Sequence, residues 1–254
     1  MGPKETDIGP VSRVWDLPVA LVLLTRLPLP HLPDHVFGHG ASAVWAYPLV
    51  GAILGLIVSA LAAILSVFGL PPAIIAGLSL AALVILTGAM HEDGLADSAD
   101  GLWGGFDPAR RLEIMKDSRI GAYGVLALIL GMGLRWLGFA EVTWTGLITA
   151  LVVSRAMMPV LMHALPHARE DGLARSVGAP DMLSVGIGVG LAALCALICA
   201  GGAGLVALII AALVTALIGG IAKAKLGGQT GDILGATQVI TEIAVLLTLI
   251  ALTQ

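Results

Sequence analysis

Four carboxylates fall within nine residues of the segment His91-Glu92-Asp93-Gly94-Leu95-Ala96-Asp97-Ser98-Ala99-Asp100-Gly101. On a helix, Asp93, Asp97 and Asp100 stand at i, i+4 and i+7 and share one face. Like charges at that spacing destabilise a helix by a few tenths of a kcal/mol each unless a cation lies between them. Oxygen-only donors favour Mg²⁺, Mn²⁺ or Ca²⁺ over zinc, because no cysteine is near and His91 is a lone imidazole. A solvated acidic loop is the plainer explanation. Against it stand the shared face and the glycines at 94, 101, 104 and 105, which let backbone approach a ligand closely.

Bases follow the acids. Asp107-Pro108 has the pattern of an N-cap and first-turn proline, opening a short helix that displays Arg110, Arg111, Lys116 and Asp117, with Arg119 just before Gly121. Cations that neutralise a transferring group and bases that hold a non-reacting phosphate are the needs of phosphate-linked group transfer. Lys116 and Arg119, beside Asp117 and Ser118, are the ligand candidates, whereas Arg110 and Arg111 are better explained as topology-setting charges. Arg155 lies mid-span, where insertion costs about 2.5–3.5 kcal/mol, so it must face a partner or cavity. Glu242 is the expected counter-ion, with Gln238 one turn before it. Gly227-Gly228-Gln229-Thr230-Gly231-Asp232 is a flexible polar entry to the last span that could close over substrate.

These groups must be carried by helices in lipid. The chain is 58% hydrophobic and 12% charged, against about 45–50% apolar and 25% charged in soluble domains. No Asp, Glu, Lys or Arg occurs from Gly40 to Met90 or from Met182 to Ala222, and each stretch holds about two spans. Gly69-Leu70-Pro71-Pro72 breaks the first and Gly201-Gly202 with Gly204 the second. The pattern predicts spans at 42–67, 73–90, 121–140, 145–165, 183–200, 204–222 and 234–252. The fold class expected is an all-α polytopic integral membrane protein of about seven transmembrane helices. One membrane domain, 1–254, would include a disordered extension at 1–13, an interfacial or re-entrant segment at 17–30 and a cytoplasmic catalytic loop at 91–120.

Alternating those spans gathers eleven of the thirteen basic residues on one side, leaving Arg135 and Arg155 within spans. By the positive-inside rule that side, which includes 91–120, is cytoplasmic. A net charge of −4 without a basic aromatic-flanked patch argues against nucleic acid as a partner. Cys195 and Cys199, one turn apart in an apolar span, read as packing residues. Gly186, Gly188 and Gly190 permit close helix packing within or between chains, so a homo-oligomer is allowed.

His91 to Gly101 with Leu102-Trp103-Gly104-Gly105, followed by Arg111-Leu112-Glu113-Ile114-Met115-Lys116-Asp117-Ser118-Arg119-Ile120-Gly121-Ala122-Tyr123-Gly124, resembles the cobalamin synthases, or adenosylcobinamide-GDP ribazoletransferases. Leu24-Thr25-Arg26-Leu27-Pro28 and Thr230-Gly231-Asp232-Ile233-Leu234-Gly235-Ala236-Thr237-Gln238 extend the resemblance over nearly the whole chain. It implies a Mg²⁺-dependent enzyme of the bacterial cytoplasmic membrane. Such enzymes join adenosylcobinamide-GDP to α-ribazole, or its 5′-phosphate, and release GMP in the last steps of cobalamin assembly. On that footing the 5′-hydroxyl of α-ribazole attacks the cobinamide-linked phosphorus. Asp93 and Asp97 then bind metal with Glu92 as supplement, and Asp100 is third ligand or general base, a catalytic role shared with Asp97. Lys116 and Arg119 grip pyrophosphate with Asp117 beside them, and Asp232, Arg155 and Glu242 face substrate. A CDP-alcohol phosphotransferase shares an acidic helix at a membrane edge, but this chain lacks the arginine after the alanine and the later spaced aspartates. A cation-coupled transporter would place its acids near the midplane at a repeat interface, and no repeat is present.

Overall fold

The computed structural model describes residues 13–253, so the expected extension lies almost wholly outside the described residues. The first described element is a short 3₁₀ turn, Arg13–Trp15, followed by α1, Asp16–Leu24. At about 1.5 Å per residue α1 is far too short to cross a bilayer. It packs against the entry to α2, Tyr47–Val67, where Trp45 Nε1 donates to Asp16 Oδ2 at 2.7 Å. Pro72 opens α3, Pro72–Thr87, after the predicted turn at Gly69. The chain then bends by 87° into α4, Met90–Gly104, so the expected span 73–90 ends early and the expected loop at 91–120 is largely helical. The bend has a local cause, since Gly88 and Ala89 both have positive φ, 65° and 56°. For alanine that conformation is strained and must be held by its surroundings. The backbone N–H of Arg26 donates to the Leu86 carbonyl at 2.6 Å, and the Arg26 side chain lies against Gly88.

Beyond α5, Pro108–Ile114, come α6, Ala122–Glu141, and α7, Trp144–Ala164. A short α8, Leu173–Val177, precedes α9, Met182–Leu226, and α10, Gly231–Thr253. α9 is a hairpin, because Gly201 has non-helical angles and Gly204 packs onto the carbonyl of Ala196, eight residues back. In a continuous helix those positions would be about 12 Å apart. Among the described residues, five helices are long and apolar enough to cross a membrane, and α3 with α4 makes a broken sixth. Counting the two arms of α9 separately, 182–200 and 202–226, gives six straight apolar helices beside the bent α3–α4 pair. The centre is α7, buried along nearly its whole length by α2, α9 and α10, while the apolar outer face of α6 is exposed, as lipid contact requires. Gly51 allows the closest approach to α7, since a Cβ there would collide with the Leu151 carbonyl.

Candidate functional site

α4 carries the acids and is fixed along its whole length. Near its start, Gly94 lies against the backbone of Asp232 and Gly235, and Gly235 against that of His91, so α4 and the start of α10 touch backbone to backbone. A Cβ at Gly94 would sit 2.8 Å from the Asp232 carbonyl oxygen. Toward its other end, Asp100 accepts the N–H groups of Gly121 (2.7 Å) and Gly124 (2.9 Å), which ties α4 to the first turn of α6. Lys225 donates to the Leu102 carbonyl at 2.8 Å while lying over the Trp103 ring, and so caps the last turn of α4. Arg111 bonds the carbonyls of Gly105 and Lys225, a structural use separate from the topology-setting role read for it in the sequence.

Asp93 and Asp97, together with Glu92, line a cleft of about 480 Å³ that also takes in Lys116, Asp117, Ser118 and Arg119. The acids and bases singled out in the sequence therefore meet in one space. No hydrogen bond or ion pair from another described residue engages the Asp93 or Asp97 side chain, and the charges of Asp93, Asp232 and Asp100 all bear on Asp97 against the single opposing charge of Arg169. The bases are exposed and lightly held. Arg119 is 88% exposed and binds Asp117 at 2.7 Å, and that hydrogen bonding pushes the Asp117 carboxyl down to about 2. Lys116 pairs with Asp171 at 2.6 Å and holds that carboxyl below its ordinary value. Exposed pairs of this kind contribute at most about 1 kcal/mol, so an incoming polyanion displaces them readily.

The expected convergence of three aspartates is not met. Asp100 turns to the α6 backbone, and among the described residues no three His, Cys, Asp or Glu side chains form a group that could hold a metal alone. The residues still fit Mg²⁺, which is commonly held by one or two carboxylates, substrate phosphates and water. Asp232 faces the same region from α10, with Arg169 Nη1 at 3.2 Å and Thr230 Oγ1 donating to it at 3.2 Å. Arg169 is placed by a backbone clamp in which Ala168 N–H donates to the Gln229 carbonyl and Gln229 N–H to the Pro166 carbonyl, both at 2.8 Å. Gly228 is required there, since a Cβ would strike the Pro166 carbonyl.

A second correction concerns the buried charges. Glu242 pairs with Arg135 at 2.8 Å, not with Arg155, and Arg135 also binds Glu92. Arg155 donates only to the Leu151 carbonyl, 3.1 Å, and its Nε has no hydrogen-bond partner among the described residues. Gln238 joins the two halves by donating to Glu242 (2.7 Å) and Ser154 (3.0 Å). Neither Arg155 nor Glu242 lines the cleft, so both support the site from behind.

With this geometry in place, the family model described as "Cobalamin-5-phosphate synthase" matches residues 16–250. The chain belongs to that family. It is 44% identical over 240 residues to an adenosylcobinamide-GDP ribazoletransferase of Bradyrhizobium diazoefficiens, covering 92% of each chain. To proteins of the same name it is 43% identical in Mesorhizobium japonicum, covering 94% of each, and 41% identical in Brucella anthropi, covering 92% of this chain and 96% of the other. No solved structure matches it.

Within this cobalamin-5-phosphate synthase family member, two residues of the site lie outside what the sequence leads one to expect. Arg135 reads there only as a charge within a span, although its position inside an apolar run is the signal that it needs a buried partner. Arg169 reads only as a topology-setting charge, and nothing local marks it, because its partner Asp232 lies 63 positions away.

Proposed function

We propose that this protein transfers the adenosylcobinamide phosphate group of adenosylcobinamide-GDP to α-ribazole or its 5′-phosphate, releasing GMP. One observation carries the reading: the unpaired Asp93 and Asp97 share a cleft with the exposed Lys116 and Arg119. Lys116 and Arg119 hold the pyrophosphate. Asp93 and Asp97 are the residues that would hold Mg²⁺, which would supply charge neutralisation on the phosphoryl oxygens. A hydroxyl oxygen of the acceptor ribose forms the new bond to the cobinamide-linked phosphorus as the bond to the GMP oxygen breaks. The hydroxyl proton passes to the acid face of α4, where Asp93 and Asp97 are the carboxylates left unpaired by the protein.

The acceptor hydroxyl follows from the family description. A product that keeps a 5-phosphate comes from an acceptor whose 5′ oxygen is already esterified, so a different ribose hydroxyl attacks. A single site serving both acceptor forms uses that hydroxyl for both, in place of the 5′-hydroxyl expected above. The site faces the cytoplasm, in line with the eleven basic residues on its side, and the enzyme resides in the bacterial cytoplasmic membrane. Nothing in the geometry favours a lipid-forming phosphotransferase or a transporter.

The test is GMP release by the detergent-purified chain given adenosylcobinamide-GDP, α-ribazole and MgCl₂. Release that requires all three supports the reading. No release with that pair, but turnover of CDP-diacylglycerol with an alcohol, overturns it.

A further inference from the structure

A second cavity, of about 150 Å³, shares Asp93 with the cleft. Its wall is largely apolar and rich in sulfur, with Met90, Met158, Met162, Ala174 and Leu234 beside the ring of Tyr47. His91, Asp93, Arg169 and Asp232 are its polar members. Asp93 alone lines both this cavity and the cleft that holds Lys116 and Arg119.

Three observations set its ligand. An apolar cavity of this volume accepts a benzene-sized ring, and methionine sulfurs make favourable contacts with aromatic rings. Tyr47, 3% exposed, lies in the same wall and offers a flat ring face or edge to an aromatic guest. Asp93 and Asp232 outnumber the single cation Arg169, so the cavity itself suits an uncharged ring and hydroxyls, and any phosphate, whether the pyrophosphate of the other substrate or a 5′-phosphate on the acceptor, stays outside it.

We infer that this cavity is the acceptor subsite: it takes one ring of the flat, apolar base of the nucleoside among Tyr47, Met158 and Met162 and leaves the ribose hydroxyls at Asp232 and Asp93. The inference rests on the transfer reaction proposed above and adds where each substrate lies. The two substrates meet at Asp93, one from each space, and the new O–P bond forms at that shared wall. The volume is too small for the corrinoid ring system, which stays on the cleft side.

The experiment fills the cavity. Ala174→Leu acts from the short helix α8 and Met162→Phe from the core, so one tests the inference if the other fails to purify as a folded, monodisperse protein. Each variant is expected to raise KM for α-ribazole at least tenfold and leave KM for adenosylcobinamide-GDP within twofold. Melting in detergent gives a readout independent of turnover: α-ribazole raises the midpoint of the parent chain but not of either variant, whereas adenosylcobinamide-GDP raises all three. Should the folded variants keep KM for α-ribazole within twofold, or raise KM for adenosylcobinamide-GDP instead, the inference is overturned while the proposed reaction stands. A parent chain without turnover but with a melting shift from α-ribazole, lost in both variants, overturns the reaction and keeps the subsite.

Discussion

Asp93, Asp97 and Asp100 are one residue type on one helix, yet their surroundings separate their work. Asp93 and Asp97 face the cleft without protein partners, so Asp93→Asn or Asp97→Asn should lower kcat for GMP release by about 100-fold or more while the protein still purifies as a monodisperse species. Asp100 is spent on two backbone N–H groups of α6. Asp100→Asn should therefore act on stability, by about 1–3 kcal/mol, with a lower melting midpoint and only an indirect effect on the apparent Mg²⁺ affinity. Lys116→Ala and Arg119→Ala remove the grip on the polyanion and should raise KM for adenosylcobinamide-GDP more than they lower kcat. The acid–base pairing was legible from residue types and spacing alone. The division of labour among the three aspartates was not, because Asp100 meets its partners through backbone amides, which leave no mark in the side-chain pattern.

At the scale of elements, the crossing of α4 and α10 sets the distance from Asp93 to Asp232. Gly94→Ala should force those helices apart, at a cost of about 1–3 kcal/mol, read as a fall in melting midpoint together with lost turnover. Arg135→Met leaves Glu92 and Glu242 buried without their cation and should destabilise by about 3–5 kcal/mol. Recovery of the melting midpoint in the triple variant Arg135→Met, Glu92→Gln, Glu242→Gln would attribute the loss to stranded charge. The breaks at Gly69–Pro72 and Gly201 were readable because glycine and proline announce them. The 87° bend was not, because one of its two positive-φ residues is Ala89, a residue with no preference for that region, and the Arg26 segment that braces the bend at Leu86 and Gly88 comes from far along the chain. Long-range pairs such as Arg135 with Glu242, 107 positions apart, are invisible to any local window.

At the scale of the whole molecule, the helical character and the apolar rods were legible because lipid demands long uncharged segments, and composition alone states that demand. Orientation is a separate matter, tested by placing Ser118→Cys or Phe68→Cys in a chain with Cys195 and Cys199 replaced by alanine. A membrane-impermeant thiol reagent should label the Ser118→Cys chain in inverted vesicles and the Phe68→Cys chain in intact cells, and the reverse pattern would invert the assignment. The buried charges also bear on how the molecule is made. Glu92 and Arg135 leave the ribosome in sequence and can neutralise one another at once, but the charge of Arg155 is balanced only when Glu242, which binds Arg135 and bears on Arg155 through space, is synthesised in the final helix. The nascent chain therefore carries a surplus intramembrane cation for the whole time that α9 is being translated, and a product truncated before α10 would be left with it permanently, a natural mark for quality-control proteolysis.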